Sequence, residues 1–277
     1  MAERPFRAVV HGPIVTLVFG DRHTQHAALA RLETFYESEK FKSVYLSLET
    51  AEREKLCRGY EAFNLPMQIF PAWIKAMCAK EEVAPTAEMT WHEATCTAEE
   101  SALLRYLIER DVLDSTGTSL VEHAPTYLIS ALTTSAETVF AHERLHALYH
   151  FSAPYRALLA ELWEGMPGTV KDAVQFDMQM RGYSATVWQD ELGAYLGVRV
   201  PQNVRAADPS VEFGKKSAET CREIRRALLA HIPRYWRESA GVEEQVLQLA
   251  PEFLLQARTE LRPKPKVPVA KTRKQKK

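Results

Sequence analysis

The sequence predicts an α+β fold that is mostly helical and carries a small sheet near its N-terminus. Three observations predict it. Two short apolar runs, Ala8-Val9-Val10 and Ile14 to Phe19, flank His11-Gly12-Pro13, the pattern of two strands joined by a tight turn. From residue 51 onward apolar residues return mostly at helical spacing. Capping signals, glycines and prolines then punctuate these periodic runs. The balance of 46% hydrophobic and 26% charged residues in 277 is that of an ordinary globular chain. That length builds one large domain or two small ones.

The elements follow in order. Residues 25–40 are periodic through Ala28, Leu29, Leu32 and Phe35, a helix, and Ser43 to Leu48 reads as another strand. A helix is expected near 52–62. Pro66 and Pro71 mark a turn before a short helix through Trp73, Ile74, Met77 and Cys78. Thr97 with Glu100 is a T-x-x-E capping box opening a helix to about Arg110, and Asp114-Ser-Thr-Gly117 is a loop. After an apolar stretch at 126–133, Thr134 with Glu137 forms a second such box, and no Gly or Pro follows until Pro154. Further helices fit 154–165, 168–181, 186–197, 216–231 and 242–258. Loops are expected at Gly165-Met-Pro-Gly168 and Pro201 to Pro209. The chain divides into an α/β subregion at 1–95, a helical region at 96–261 and a basic tail at 262–277.

Composition excludes several functions. No apolar run approaches a membrane span, and the N-terminus lacks the apolar core of a signal peptide. Cys57, Cys78, Cys96 and Cys221 show no CxxC spacing and read as reduced thiols of an intracellular protein, in cytoplasm or nucleus. There is no Gly-rich phosphate loop and no G-x-S-x-G elbow, so nucleotide and serine-hydrolase chemistry lack support. The net charge of −1 hides an asymmetry. Arg262 to Lys277 holds eight basic residues and no acidic ones; without them the 35 basic residues fall to 27, against 36 acidic. Such a tail should be disordered. It reads as a nuclear localisation signal, an electrostatic tether to nucleic acid or acidic partners, or a solubilising extension.

The chemistry concentrates in His142-Glu143-Arg144-Leu145-His146, a complete HExxH pattern between Val139-Phe140-Ala141 and Ala147-Leu148-Tyr149. Two histidines four residues apart on a helix project from one face, about one turn apart. That spacing lets two imidazoles share one zinc ion, and Glu143 beside them can hold a metal-bound water as general base. At this chain's His and Glu frequencies the pattern arises by chance only ~0.03 times. Arg144 stands where such motifs usually have an uncharged residue.

These residues resemble the zincins, the HExxH zinc metallopeptidases. The resemblance implies His142 and His146 as ligands of one Zn2+ and Glu143 as catalytic base. It also implies a zinc-bound water that attacks a peptide bond of a peptide or protein substrate. A sheet would lie beside the motif helix, with an edge strand able to pair with substrate. Zinc needs a third protein ligand. The metzincin pattern would place glycine at 149 and histidine at 152, where this chain has Tyr149 and Ser152. His150 lies two turns from His142, and one helix can hardly wrap three such residues around one ion. The segment Val187 to Gly197 is similar to the second zinc helix of gluzincins, the thermolysin-like enzymes, and the resemblance carries Glu191 over as third ligand. Asp190 is the alternative if the register shifts by one, and Ala194 would allow close helix packing. In those enzymes an acid one turn after the third ligand orients the first histidine. Here Tyr195 holds that place, so the orienting group must differ. For the oxyanion-stabilising role that such peptidases give to a Tyr or His, Tyr183, Tyr149, Tyr195 and His150 are candidates.

Two other readings stay open beside the peptidase. One is a non-catalytic intracellular module with a structural zinc and the tail supplying the partner. The other is a metal-free interaction protein. A closed fourth coordination position would favour the structural zinc.

Overall fold

The computed structural model describes residues 4–88, 91–135, 137–200 and 207–262. The basic tail from 263 and most of the 201–209 loop lie outside the described residues. The fold is α+β and mostly helical, around one four-stranded sheet. No helix among the described residues is long and apolar enough to cross a membrane.

The expected hairpin is present: β1 (Phe6–His11) and β2 (Ile14–Phe19) pair antiparallel. Gly12 makes the turn at φ +56°, where a side chain would be strained, and a Cβ there would sit 2.5 Å from Val242. The apolar stretch at 126–133 becomes β4 (Tyr127–Leu132), parallel to β2, and β3 (Phe63–Pro66) closes the order β1-β2-β4-β3. The proline pattern hid β3. Pro66 is its last residue and it is an edge strand, where a missing N–H costs little. Side chains of β4 alternate between two cores. Leu128 joins the one built from Leu29, Phe63, Trp73 and Leu103, while Tyr127 and Ile129 join the one built from Leu148, Leu159, Leu192 and Trp236. The first core runs from Phe6 to Leu128 and crosses the expected boundary at 95/96.

Helix α1 (Arg22–Glu37) is capped by Asp21, and α5 (Ala98–Glu109) by the expected Thr97–Glu100 box. The strand expected at Ser43 to Leu48 does not form. Arg31 of α1 takes the Leu46 carbonyl at 2.9 Å and the Tyr45 hydroxyl at 3.1 Å, which ties this segment down as irregular chain. Arg31 also forms a buried ion pair with Glu100 and stacks over Trp73. One guanidinium therefore joins α1, α5 and the 45–46 segment, with its donors satisfied as burial requires. The helix expected at 52–62 is shorter, α2 (Leu48–Glu54). It ends at Lys55 in the left-handed region so that the chain can turn into β3. Then come α3 (Ile69–Glu81) and the short α4 (Trp91–Thr95).

The second half is helical: α6 (Glu137–Phe151), α7 (Ala153–Glu164), α8 (Gly168–Met180), α9 (Trp188–Gly197), α10 (Ala218–Ala240) and α11 (Pro251–Glu260). Three expectations need correction. The Thr134–Glu137 box is not used: Glu137 is the first residue of α6, and its carboxylate holds Arg144 at 2.6 Å. Helix α10 runs past 231 and through Pro233, because its buried stripe of Cys221, Ile224, Leu228, Ile232 and Trp236 continues beyond the proline. The helix expected at 242–258 is split. Pro251 cannot sit in a helix interior but suits a first turn, so it opens α11 after a 3-10 turn at Glu244–Leu247.

Replacing Arg31 with alanine leaves Glu100 buried without its partner, and a loss of about 3–5 kcal/mol is expected. Arg31→Met combined with Glu100→Gln, which keeps the capping box, should recover most of it. Urea denaturation measures both; a loss below ~1 kcal/mol for Arg31→Ala, the range of an exposed pair, would contradict this role.

Candidate metal centre

The HExxH helix, α6, packs on both the sheet and α9. His142 and His146 stand one turn apart with their Nε2 atoms 3.2 Å from each other. Glu191 comes from the first turn of α9. Its Oε2 lies 3.7 Å from His142 Nε2 and its Oε1 3.8 Å from His146 Nε2. One ligand atom from each of the three residues falls within 4.8 Å of the others. The two helices approach closely because α9 is small where it meets its neighbours. A Cβ on Gly193 would lie 2.6 Å from Leu159, and one on Gly197 2.9 Å from Leu145, while Ala194 is fully buried.

The donor set fits a divalent ion. Glu191 Oε2 is buried without a hydrogen-bond partner, and burial pushes its carboxyl up to about 8. An orphaned acid facing two imidazole nitrogens is an unstable arrangement until a cation joins them. Burial, then His146 and Arg181, hold His142 well below its ordinary pKa, so its ring is neutral and free to ligate. Burial disfavours charge on His146 too, but the carboxylates of Asp190 and Glu191 outweigh it and raise that ring's pKa. Without a metal, the proton on His146 serves as the local cation.

Asp190, the alternative to Glu191, lies outside that three-residue group; its Oδ1 sits 3.0 Å from His146 Nδ1, on the far side of the ring from Glu191. The contact is a close ion pair rather than an aligned hydrogen bond, and it orients the second histidine. The sequence left the orienting group unnamed, and the neighbouring acid supplies it. Arg144, the unusual charge inside the motif, points elsewhere. It binds the Leu247 carbonyl and Glu137, anchoring α6 to the C-terminal 3-10 turn.

Glu143 is buried beside the histidines. Asn64 Nδ2 on β3 donates to its Oε2 at 3.1 Å, and Tyr127 Oη donates to Asn64 Oδ1 at 2.7 Å. Burial lifts the Glu143 carboxyl to about 7, against the opposing pull of His146 and the Asn64 bond. Among the oxyanion candidates, Tyr183 and Tyr195 reach the site with hydroxyls 3.1 Å apart, and the Tyr195 ring lies 4.6 Å from that of His142. Tyr149 and His150 do not. The His150 ring packs on Tyr127, and Tyr149 packs under Arg156.

His142, Glu143, His146, Glu191, Asn64, Tyr183 and Tyr195 line a cavity of about 510 Å³. Its wall includes Glu33 and Glu37 of α1 and Tyr60, none of which the sequence reading singled out. One signal could have found the acids. Leu29, Glu33 and Glu37 follow at intervals of four, which sets two carboxylates on or beside the apolar face of the helix. Asn64 and Tyr127 gave no such signal, since their role depends on β3 pairing with β4. Comparison with protein-family models, curated proteins and solved structures finds no match to this chain.

The protonation pattern fixes the sign of a pH effect. In the metal-free protein Glu143, Glu191 and His146 all have folded pKa values above their unfolded ones. The folded state then holds more protons, and its stability falls as pH rises. His142, shifted down, works the other way, but only below its ordinary 6.5. Between pH ~6.5 and ~8 the metal-free protein should therefore lose stability, as urea denaturation at the two pH values can read. Stability rising across that window would contradict the assigned charges.

Proposed function

We propose that this chain is a zinc-dependent metallopeptidase of gluzincin-like type. The observation that carries the reading is the convergence of His142, His146 and Glu191 beside Glu143 in an open cavity. Among the described residues no fourth His, Cys or carboxylate completes that group, which favours a catalytic site over a closed structural one. Four free cysteines support a place inside the cell.

Zinc held by the three ligands would supply a Lewis acid that polarises a peptide carbonyl and acidifies water. The chain's own residues do the rest. Glu143, with a carboxyl near 7, takes a proton from water at its Oε1 and returns it to the departing amine nitrogen. Asn64, itself held by Tyr127, fixes Oε2 so that the other oxygen is left for that proton. Asp190 holds the His146 ring in the orientation that ligation needs. Tyr183 and Tyr195 donate from their hydroxyls to the carbonyl oxygen as it gains negative charge. Next to the cavity, β3 ends the sheet, and an extended peptide would pair with that edge as an added strand.

Glu143→Gln separates the metal from the chemistry. The variant should keep its fold and its zinc, and lose peptidase activity by a factor of about 10²–10⁴. Elemental analysis beside cleavage of an unstructured protein such as casein measures both. A zinc-loaded Glu143→Gln protein that cleaves like the wild type would overturn the assignment.

A further inference from the structure

The cavity beside the three ligands is unusually one-sided in charge. Glu33, Glu37, Glu61, Glu143, Glu191 and Glu212 all line it, and no lysine or arginine does so among the described residues; Glu61 and Glu212 are paired with Arg22 and Arg181 from outside the wall, which leaves the inner four acids without such a partner. The deepest of these acids needs an explanation. Glu33 is 1% exposed, yet its Oε2 has no hydrogen-bond partner. Its neighbour one turn on, Glu37, accepts from the Tyr60 hydroxyl at 3.0 Å. Two carboxylates buried side by side cost stability unless a cation or a shared proton joins them; burial raises the pKa of both, and the charge of Glu37 raises that of Glu33 further, while the Tyr60 hydrogen bond and His146 pull that of Glu37 back. The HExxH motif and its partners do not use them.

We propose that Glu33 and Glu37, with Tyr60 holding Glu37, form a subsite for a primary ammonium group of the substrate. This rests on the peptidase reading, since the subsite shares its cavity with Glu143 and Glu191. A second metal ion fits less well. Among the described residues, the group that brings three ligand atoms together is His142, His146 and Glu191, without Glu33 or Glu37. A guanidinium prefers two oxygens of one carboxylate in a flat fork. Here the acceptors would be the unpartnered Glu33 Oε2 and the carboxyl of Glu37 one turn on, two groups rather than one fork, which suits the compact, tetrahedral donors of an ammonium. That ammonium is either the α-amino group of a peptide's first residue, which makes the enzyme remove N-terminal residues, or a lysine side chain, which makes it cut beside lysine.

Binding probes separate these sources without relying on turnover. Leucinamide carries an α-ammonium, Nα-acetyl-lysinamide a side-chain ammonium, and N-acetyl-leucinamide neither. Each is titrated by calorimetry into the full chain, with and without zinc, for wild type, Glu33→Gln and Glu37→Gln. One of the two cationic probes should bind, and the one that does identifies the source. The neutral probe should not bind. Either substitution should weaken the cationic probe about ten- to hundredfold. Circular dichroism shows that each variant is folded, and either variant alone suffices. Cationic probes that bind no better than the neutral one, or that ignore both substitutions, would overturn the subsite. Failure of the metallopeptidase reading would instead appear as absence of zinc and of cleavage, with amine binding intact.

Discussion

The site depends on how closely α9 can lie against α6 and α7. Glu191 is on a different helix from the two histidines and reaches them only because Gly193, Ala194 and Gly197 place almost no side chain between the helices. Leu159, Tyr155 and Leu145 fill the space that larger residues would take. A dense interior cannot absorb a misfit of even a methyl group by flowing around it. The small residues of α9 are therefore as much part of the site as the three residues that meet there. Arg144 and Asp190 lock the arrangement, one tying α6 to the C-terminal turn and the other holding His146 from behind.

Charge is the second constraint. The fold gathers Glu33, Glu37, Glu143, Asp190 and Glu191 around two imidazoles, and burial alone would make most of these acids neutral. Such a cluster is costly for a structural core and useful for a site that receives cations. The same burial that disfavours charge on these acids sets the Glu143 carboxyl near neutrality, where a group both accepts and returns a proton well. The buried acids cost stability here, and the Arg31–Glu100 pair and the two apolar cores offset it elsewhere in the fold.

Much of this was legible in the sequence, and the remainder was hidden for identifiable reasons. HExxH declares itself because helical spacing alone sets His142 and His146 on one face. Most helices were visible for the same reason: their signals are local. The pairing of β3 with β4 is not local, so Asn64 and Tyr127, which meet only across that ladder, could not be seen as partners of Glu143. Ser43 to Leu48 has the composition of a strand but lost its sheet partner to the claims of Arg31. Pro66 misled because an edge strand tolerates what a central strand does not. In the sequence Asp190 and Glu191 stand as alternatives for one position, while their different places, one on each nitrogen of His146, need three dimensions.

The most direct test of the account is the zinc content of the purified full chain, prepared without chelator and then offered zinc, beside His146→Ala and Glu191→Ala. The account requires about one tightly held zinc per wild-type chain and its loss from both variants. A folded wild-type protein that holds no zinc, or a Glu191→Ala protein that holds it as tightly as the wild type, would contradict the three-residue centre.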